Sequence, residues 1–201
     1  MISGFFGLPG VGKTSFLAKI AAKENKRIKK GRSKYKRVLT NFYCKGCWKL
    51  NFREMGTYDI SDSLILIDEI TLEADSRDYK TFSQNLKQFF ILHRHYGNDI
   101  IYFTQQYDGV DKKIRDLTFD LWYVKKILWF TLATRIYRTI DINENKEIVQ
   151  GYKFPGLFEN ILSLLFPWLI RIRKLCFRPR YYKYFDSWDR VELPVHDFEK
   201  W

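Results

Sequence analysis

The chain has 201 residues, room for one domain and an extension, and 46% hydrophobic and 18% aromatic residues are ample for a core. Three cysteines, an odd and sparse set, exclude a disulfide-stapled scaffold and place the chain in a reducing compartment. Thirty-five basic against 23 acidic residues give a net charge of +12, which asks for an anionic partner, either nucleic acid or a lipid surface.

The opening apolar run, residues 2–6, lacks the positive flank and long apolar stretch of a signal peptide and reads as a buried strand. Gly7-Leu8-Pro9-Gly10-Val11-Gly12-Lys13-Thr14 follows and fits G-x-x-x-x-G-K-[ST], the Walker A or P-loop pattern. Leu17, Ile20 and Ala21 then recur at helical spacing, so the motif sits between a strand and a helix, as its chemistry requires. Glycines leave backbone N–H groups free to converge on phosphate oxygens, and the helix N-terminus favours the same anion. Gly7, Leu8, Pro9, Gly10, Val11, Gly12, Lys13, Thr14 and Ser15 are the candidate nucleotide-binding residues. Lys13 supplies a point charge for the β- and γ-phosphates of a nucleotide, and Thr14 a hydroxyl for Mg²⁺.

Residues 23–37 hold nine Lys or Arg and one Glu, with no visible apolar periodicity. They read as a solvated loop, or as a basic arm for phosphate backbones or acidic lipid. Residues 37–43 read as a second strand. Cys44-Lys45-Gly46-Cys47 is half a zinc site without a second pair at suitable spacing, and reads as a turn.

Residues 63–70, Ser-Leu-Ile-Leu-Ile-Asp-Glu-Ile, form the second strong signal. Four consecutive apolar residues suit a central parallel strand buried on both faces. Asp68 and Glu69 fall at its C-terminal end, where open α/β sheets bind ligands. This is the Walker B arrangement, with Asp68 as the second Mg²⁺ residue and Glu69 as the base that polarises water.

Thr81 to Gln84 has the form of a capping box before Leu86, Phe89 and Phe90 at helical spacing. His93-Arg94-His95 suits the negative end of that helix; alternatively Arg94 is a finger onto a neighbouring subunit's γ-phosphate, or a substrate contact. Residues 99–103 read as a further buried strand ending in Thr104-Gln105-Gln106, where Gln105 either senses the γ-phosphate and orients water or is a plain turn residue. A short helix spans 108–117. From 119 to 152, β-branched and aromatic runs read as partly antiparallel strands that finish one side of the sheet. Pro155-Gly156 divides a nucleotide domain, 1–154, from an apolar and basic extension, 155–201. Within that extension, 157–170 is too short for a spanning helix and is broken by Pro167. With the arginines that follow, it suits a helix lying in a membrane interface, packed on the domain, or docked on a partner.

The P-loop near Met1, the Ile-Asp-Glu strand end, Leu-His-Arg-His-Tyr-Gly, and then Asp-Ile-Ile-Tyr-Phe-Thr-Gln-Gln with Asp-Lys-Lys-Ile-Arg resemble the Zot family. These are the zonula occludens toxin-like, gene I-type assembly ATPases of filamentous phages, and the resemblance runs from Met1 to about Lys126. It implies an α/β P-loop NTPase of the RecA/FtsK–HerA-like, additional-strand catalytic-glutamate type, with a mainly parallel sheet and helices on both faces. Lys13, Thr14, Asp68 and Glu69 would carry the nucleotide chemistry with ATP and Mg²⁺, and Arg94 and Gln105 are further candidates. It also implies a homo-oligomer at the cytoplasmic face of the host inner membrane, extruding single-stranded phage DNA or a DNA–protein complex, with membrane proteins as partners. A general DNA-translocating or conjugative coupling ATPase, and a weakly hydrolysing nucleotide-gated membrane scaffold, are the alternatives. Toxin-like activity is not carried over. Members of that family often carry a spanning helix where this chain has the shorter, Pro-broken run.

Overall fold

The computed structural model describes residues 1–72, 74, 84–142, 148–165 and 172–186. Residues 81–83 of the expected capping box, the turn at 143–146, Pro167 and everything beyond 186 lie outside these.

The first strand, β1 (Ile2–Phe6), feeds the glycine loop, and α1 (Lys13–Lys29) leaves it. The helix runs seven residues into the segment expected to be a loop or arm. Leu17, Ala21, Glu24 and Ile28 continue one stripe, but Glu24 hides it in the sequence. That carboxylate is buried and satisfied, accepting from the Ser33 hydroxyl at 2.6 Å and from Arg27 at 3.2 Å. Gly31 ends the helix. At φ 63° it donates to Ile28 O while Arg32 donates to Arg27 O, both at 2.9 Å, which is a Schellman motif.

The remaining elements are β2 (Arg37–Thr40), β3 (Trp48–Lys49), β4 (Ser63–Ile67), α2 (Gln84–Leu92), β5 (Asp99–Thr104), α3 (Lys112–Leu117), β6 (Asp120–Ile127), β7 (Phe130–Ile142), β8 (Ile148–Lys153), α4 (Leu157–Leu165) and β9 (Arg173–Phe177). The sheet order is β3-β2-β4-β5-β1-β6-β7-β8, with β9 also on β7. All pairings from β3 through to β6 are parallel, and those of β7 are antiparallel. Strand β5 therefore lies between the P-loop strand and the strand that leads into Asp68, as the additional-strand class requires.

Both faces of the sheet are covered. On one, α1 packs Phe16 and Leu17 onto Phe5, Leu64, Leu66, Phe103 and Trp122. The Phe5 ring stacks on Phe103 at 4.6 Å and on Trp122 at 5.7 Å, a dry aromatic floor beneath the P-loop helix. On the other face, Leu86, Phe89 and Phe90 of α2 and Ile114 of α3 cover Ile65, Ile67, Ile100 and Tyr102. Asp111 caps α3 by accepting from Lys113 N at 2.8 Å. Cys44 and Cys47 form a turn, closed by Cys47 N–H on Cys44 O at 3.0 Å.

Residues 155–201 are not all appended to this core. Strand β9 pairs with the first half of β7, from Thr134↔Arg173 to Phe130↔Phe177. The 3₁₀ segment Arg178–Tyr184 then lies against α1, and Cys44 forms a bridge with Phe185. Residues 173–186 thus belong to the nucleotide domain. Their register with β7 is a long-range pairing that no local pattern announces.

Candidate functional site

The C-terminal ends of β1, β4 and β5 open into one cavity of about 500 Å³. It is lined by Pro9, Gly10, Gly12, Lys13, Thr14, Ser15, Asp68, Glu69 and Gln105, together with Leu72, Arg178, Tyr182 and Phe185. Gly10 and Gly12 take φ of 73° and 88°, left-handed values that turn the loop's amides inward at little cost only for glycine.

Lys13 is 8% exposed, and its ammonium donates to Gly7 O at 3.0 Å. Burial pulls its pKa below the ordinary lysine value, against the attraction of Glu69 and Asp68. Thr14 Oγ1 donates to Asp68 Oδ2 at 2.6 Å. Burial raises the pKa of the Asp68 carboxyl despite this bond. A hydroxyl and a carboxylate set side by side are hard oxygen donors of the kind Mg²⁺ takes, so the residues present fit that ion.

The tip of β4 is held from the next strand. Asn41 accepts from Asp68 N at 2.8 Å and donates to Asp68 O at 2.9 Å, gripping both backbone groups of that residue. Glu69 takes φ 48°, a left-handed value that costs a non-glycine residue on the order of 1 kcal/mol. Its Oε1 accepts from the Thr71 hydroxyl at 2.6 Å, Gln105 N at 3.1 Å and the Thr104 hydroxyl at 3.3 Å. The carboxylate is thereby aimed into the cavity, 3.9 Å from Lys13 Nζ.

The nine loop and helix candidates do not all play the same part. Gly7, Leu8 and Val11 shape the loop without lining the cavity. A Cβ on Gly7 would sit 2.5 Å from Val124 O, Leu8 is exposed, and Val11 is buried with its carbonyl accepting from the Thr131 hydroxyl at 2.7 Å. Gln105 lies in the cavity wall, and its backbone N–H is what reaches Glu69. Arg94 is elsewhere. It is exposed in the turn that precedes β5, at the edge of the sheet where the strands begin, so it does not join the cavity of its own chain. Sequence reading missed Asn41, Thr71, Thr104, Arg178 and Tyr182. Of these, Thr104 stands out in the sequence only as part of the strand tip, and Arg178 only as one of the arginines after residue 170.

Comparison with protein families matches residues 44–152 to the family described as Zonular occludens toxin (Zot). That range contains Asp68, Glu69 and Gln105 and begins after the P-loop. Among solved structures, the chain is similar to the N-terminal domain of zonular occludens toxin from Neisseria meningitidis, with a TM-score of 0.54 at 17% identity over 78% of this chain and 94% of that one. Weaker likenesses, each with a TM-score of 0.45 at 10% identity, are to two further proteins. One is the genome packaging NTPase B204 from Sulfolobus turreted icosahedral virus 2 in complex with ATP-gammaS, over 77% of this chain and 98% of that one. The other is the flagellar accessory protein FlaH from Methanocaldococcus jannaschii, over 75% and 88%. No curated protein sequence matches. The first of these likenesses bears on the fold alone, the mainly parallel α/β sheet described above.

Proposed function

The chain belongs to the Zot family, and from that premise we propose that it is an ATP-hydrolysing motor that moves single-stranded phage DNA during virion assembly. The observation that carries this reading is the convergence of Lys13, Thr14, Asp68 and Glu69 on one cavity. Loop amides and Lys13 hold the phosphates, while Thr14 and Asp68 hold Mg²⁺, which when bound neutralises charge developing on the transferred phosphoryl group. Glu69, aimed by three hydrogen bonds, takes the proton of the attacking water.

DNA binding is supported by the far end of α1. Lys23, Lys26, Lys29, Lys30 and Arg32 are exposed, and no carboxylate pairs with any of them among the described residues. They lie toward the edge of the sheet that also carries Arg94, away from the cavity. The motor works as a homo-oligomer in this reading, and Arg94 would act only on a neighbour's nucleotide or on DNA. Single-stranded DNA is expected to raise ATP turnover several-fold, read as phosphate release. Indifference to single-stranded DNA, with stimulation by duplex, would instead favour a general DNA translocase.

We also propose a membrane location, at the cytoplasmic face of the inner membrane, supported by an exposed apolar stripe. In α4, Leu157, Phe158, Ile161 and Leu165 form one stripe at helical spacing and are 84%, 75%, 57% and 63% exposed. No helix among the described residues is long and apolar enough to cross a membrane. A stripe of this kind lies in the interface instead. The full chain is expected to float with anionic vesicles, and L157E/F158E to reduce the floated fraction at least about tenfold. Equal flotation of the two proteins would remove α4 from membrane docking.

A further inference from the structure

The C-terminal return, Arg178 to Phe185, places a cation and an aromatic ring in the wall of the phosphate cavity. Arg178 is 9% exposed, and no carboxylate pairs with it among the described residues. Its Nη2 donates to Leu128 O and its Nε has no hydrogen-bond partner. The side chain lies flat on the P-loop: a Cβ on Gly12 would come 2.4 Å from Arg178 Cδ. A buried cation that lacks an anion is costly, and beside a phosphate-binding loop it has one obvious counter-charge.

The aromatic residues of the same segment divide by face. Tyr181 and Tyr184 pack together at 6.1 Å and join the core beneath α1. Tyr182, one residue on from Tyr181, is 49% exposed, stays out of that core and lines the cavity, with the Phe185 ring edge-on to it at 6.3 Å. The Tyr182 ring is thus half exposed, in the same cavity wall as Gly10, Gly12 and Lys13.

Resting on the nucleotide reading above, the geometry points to this return as the second half of the nucleotide site, with Arg178 taking phosphate charge and Tyr182 stacking on the base. Aromatic faces accept any nucleobase, so the subsite selects nucleotides over inorganic phosphates rather than one base over another. It also makes nucleotide binding depend on β9, whose docking on β7 carries the segment to the loop.

The test is the affinity for ATP and for inorganic tripolyphosphate, each with magnesium, measured by titration calorimetry. Tyr182→Ala is expected to weaken ATP binding about tenfold and to leave tripolyphosphate binding unchanged. Tyr182→Phe is expected to retain ATP affinity, and Arg178→Gln to weaken both ligands. ATP binding by Tyr182→Ala equal to wild type, or equal losses for both ligands, would overturn the subsite while leaving the P-loop reading intact. Wild-type protein that binds neither ligand would overturn both.

Discussion

Glu69→Gln is expected to bind ATP within about threefold of wild type and to hydrolyse it at least ~100-fold more slowly, the usual share of a positioned general base. The replacement is nearly isosteric. Its amide oxygen still accepts from Gln105 N and the Thr71 and Thr104 hydroxyls, so the left-handed turn at residue 69 keeps its supports. What is lost is a site for the water's proton. Lys13, Thr14 and Asp68 are untouched, which is why affinity and turnover separate. Phosphate release and nucleotide titration read the two quantities, and equal turnover by the variant and wild type would remove Glu69 from the mechanism.

Lys13→Ala fails at the earlier step. The Lys13 ammonium is held over its own loop by Gly7 O at 3.0 Å and Leu8 O at 3.4 Å, with the Glu69 carboxylate as a longer ion-pair partner at 3.9 Å. Those carbonyls are weak partners for a buried charge, and phosphate oxygens are stronger ones. Losing this cation removes a charge-assisted contact of about 1.5–3 kcal/mol from binding, or roughly tenfold to a hundredfold in affinity. It also removes charge stabilisation from the transition state, so turnover falls by on the order of 100-fold or more. The fold is expected to persist, because no core contact depends on the ammonium. Hydrolysis at wild-type rate by a folded variant would exclude Lys13.

The site was legible where it is local. Eight consecutive positions spell the P-loop, and an apolar run ending in Asp68-Glu69 spells its partner strand, because each motif carries its own backbone setting. The parallel core and the antiparallel finish were legible for the same reason, from runs of buried and of β-branched residues. What the sequence hid lies in contacts between distant segments. Asn41 grips Asp68 across 27 positions, and Arg178 meets Gly12 from the other end of the chain. Residues 155–201 looked like a tail because Pro155-Gly156 is a local break, while the return of β9 to β7 is a matter of register. The basic run after Ala22 looked irregular because a buried Glu24 stands where an apolar residue was expected. Arg94, read as a finger onto a neighbour's γ-phosphate or as a substrate contact, sits in the turn before β5, at the other end of the strands from the cavity of its own chain.

In the proposed mechanism Thr14 and Asp68 together hold the metal of a bound nucleotide above the P-loop. Titration of ATP into wild type and Asp68→Ala, each in magnesium and in EDTA, tests it most directly. Magnesium is expected to tighten ATP binding to wild type at least about tenfold and to do nothing for Asp68→Ala. Binding to wild type that is the same in magnesium and in EDTA would contradict it.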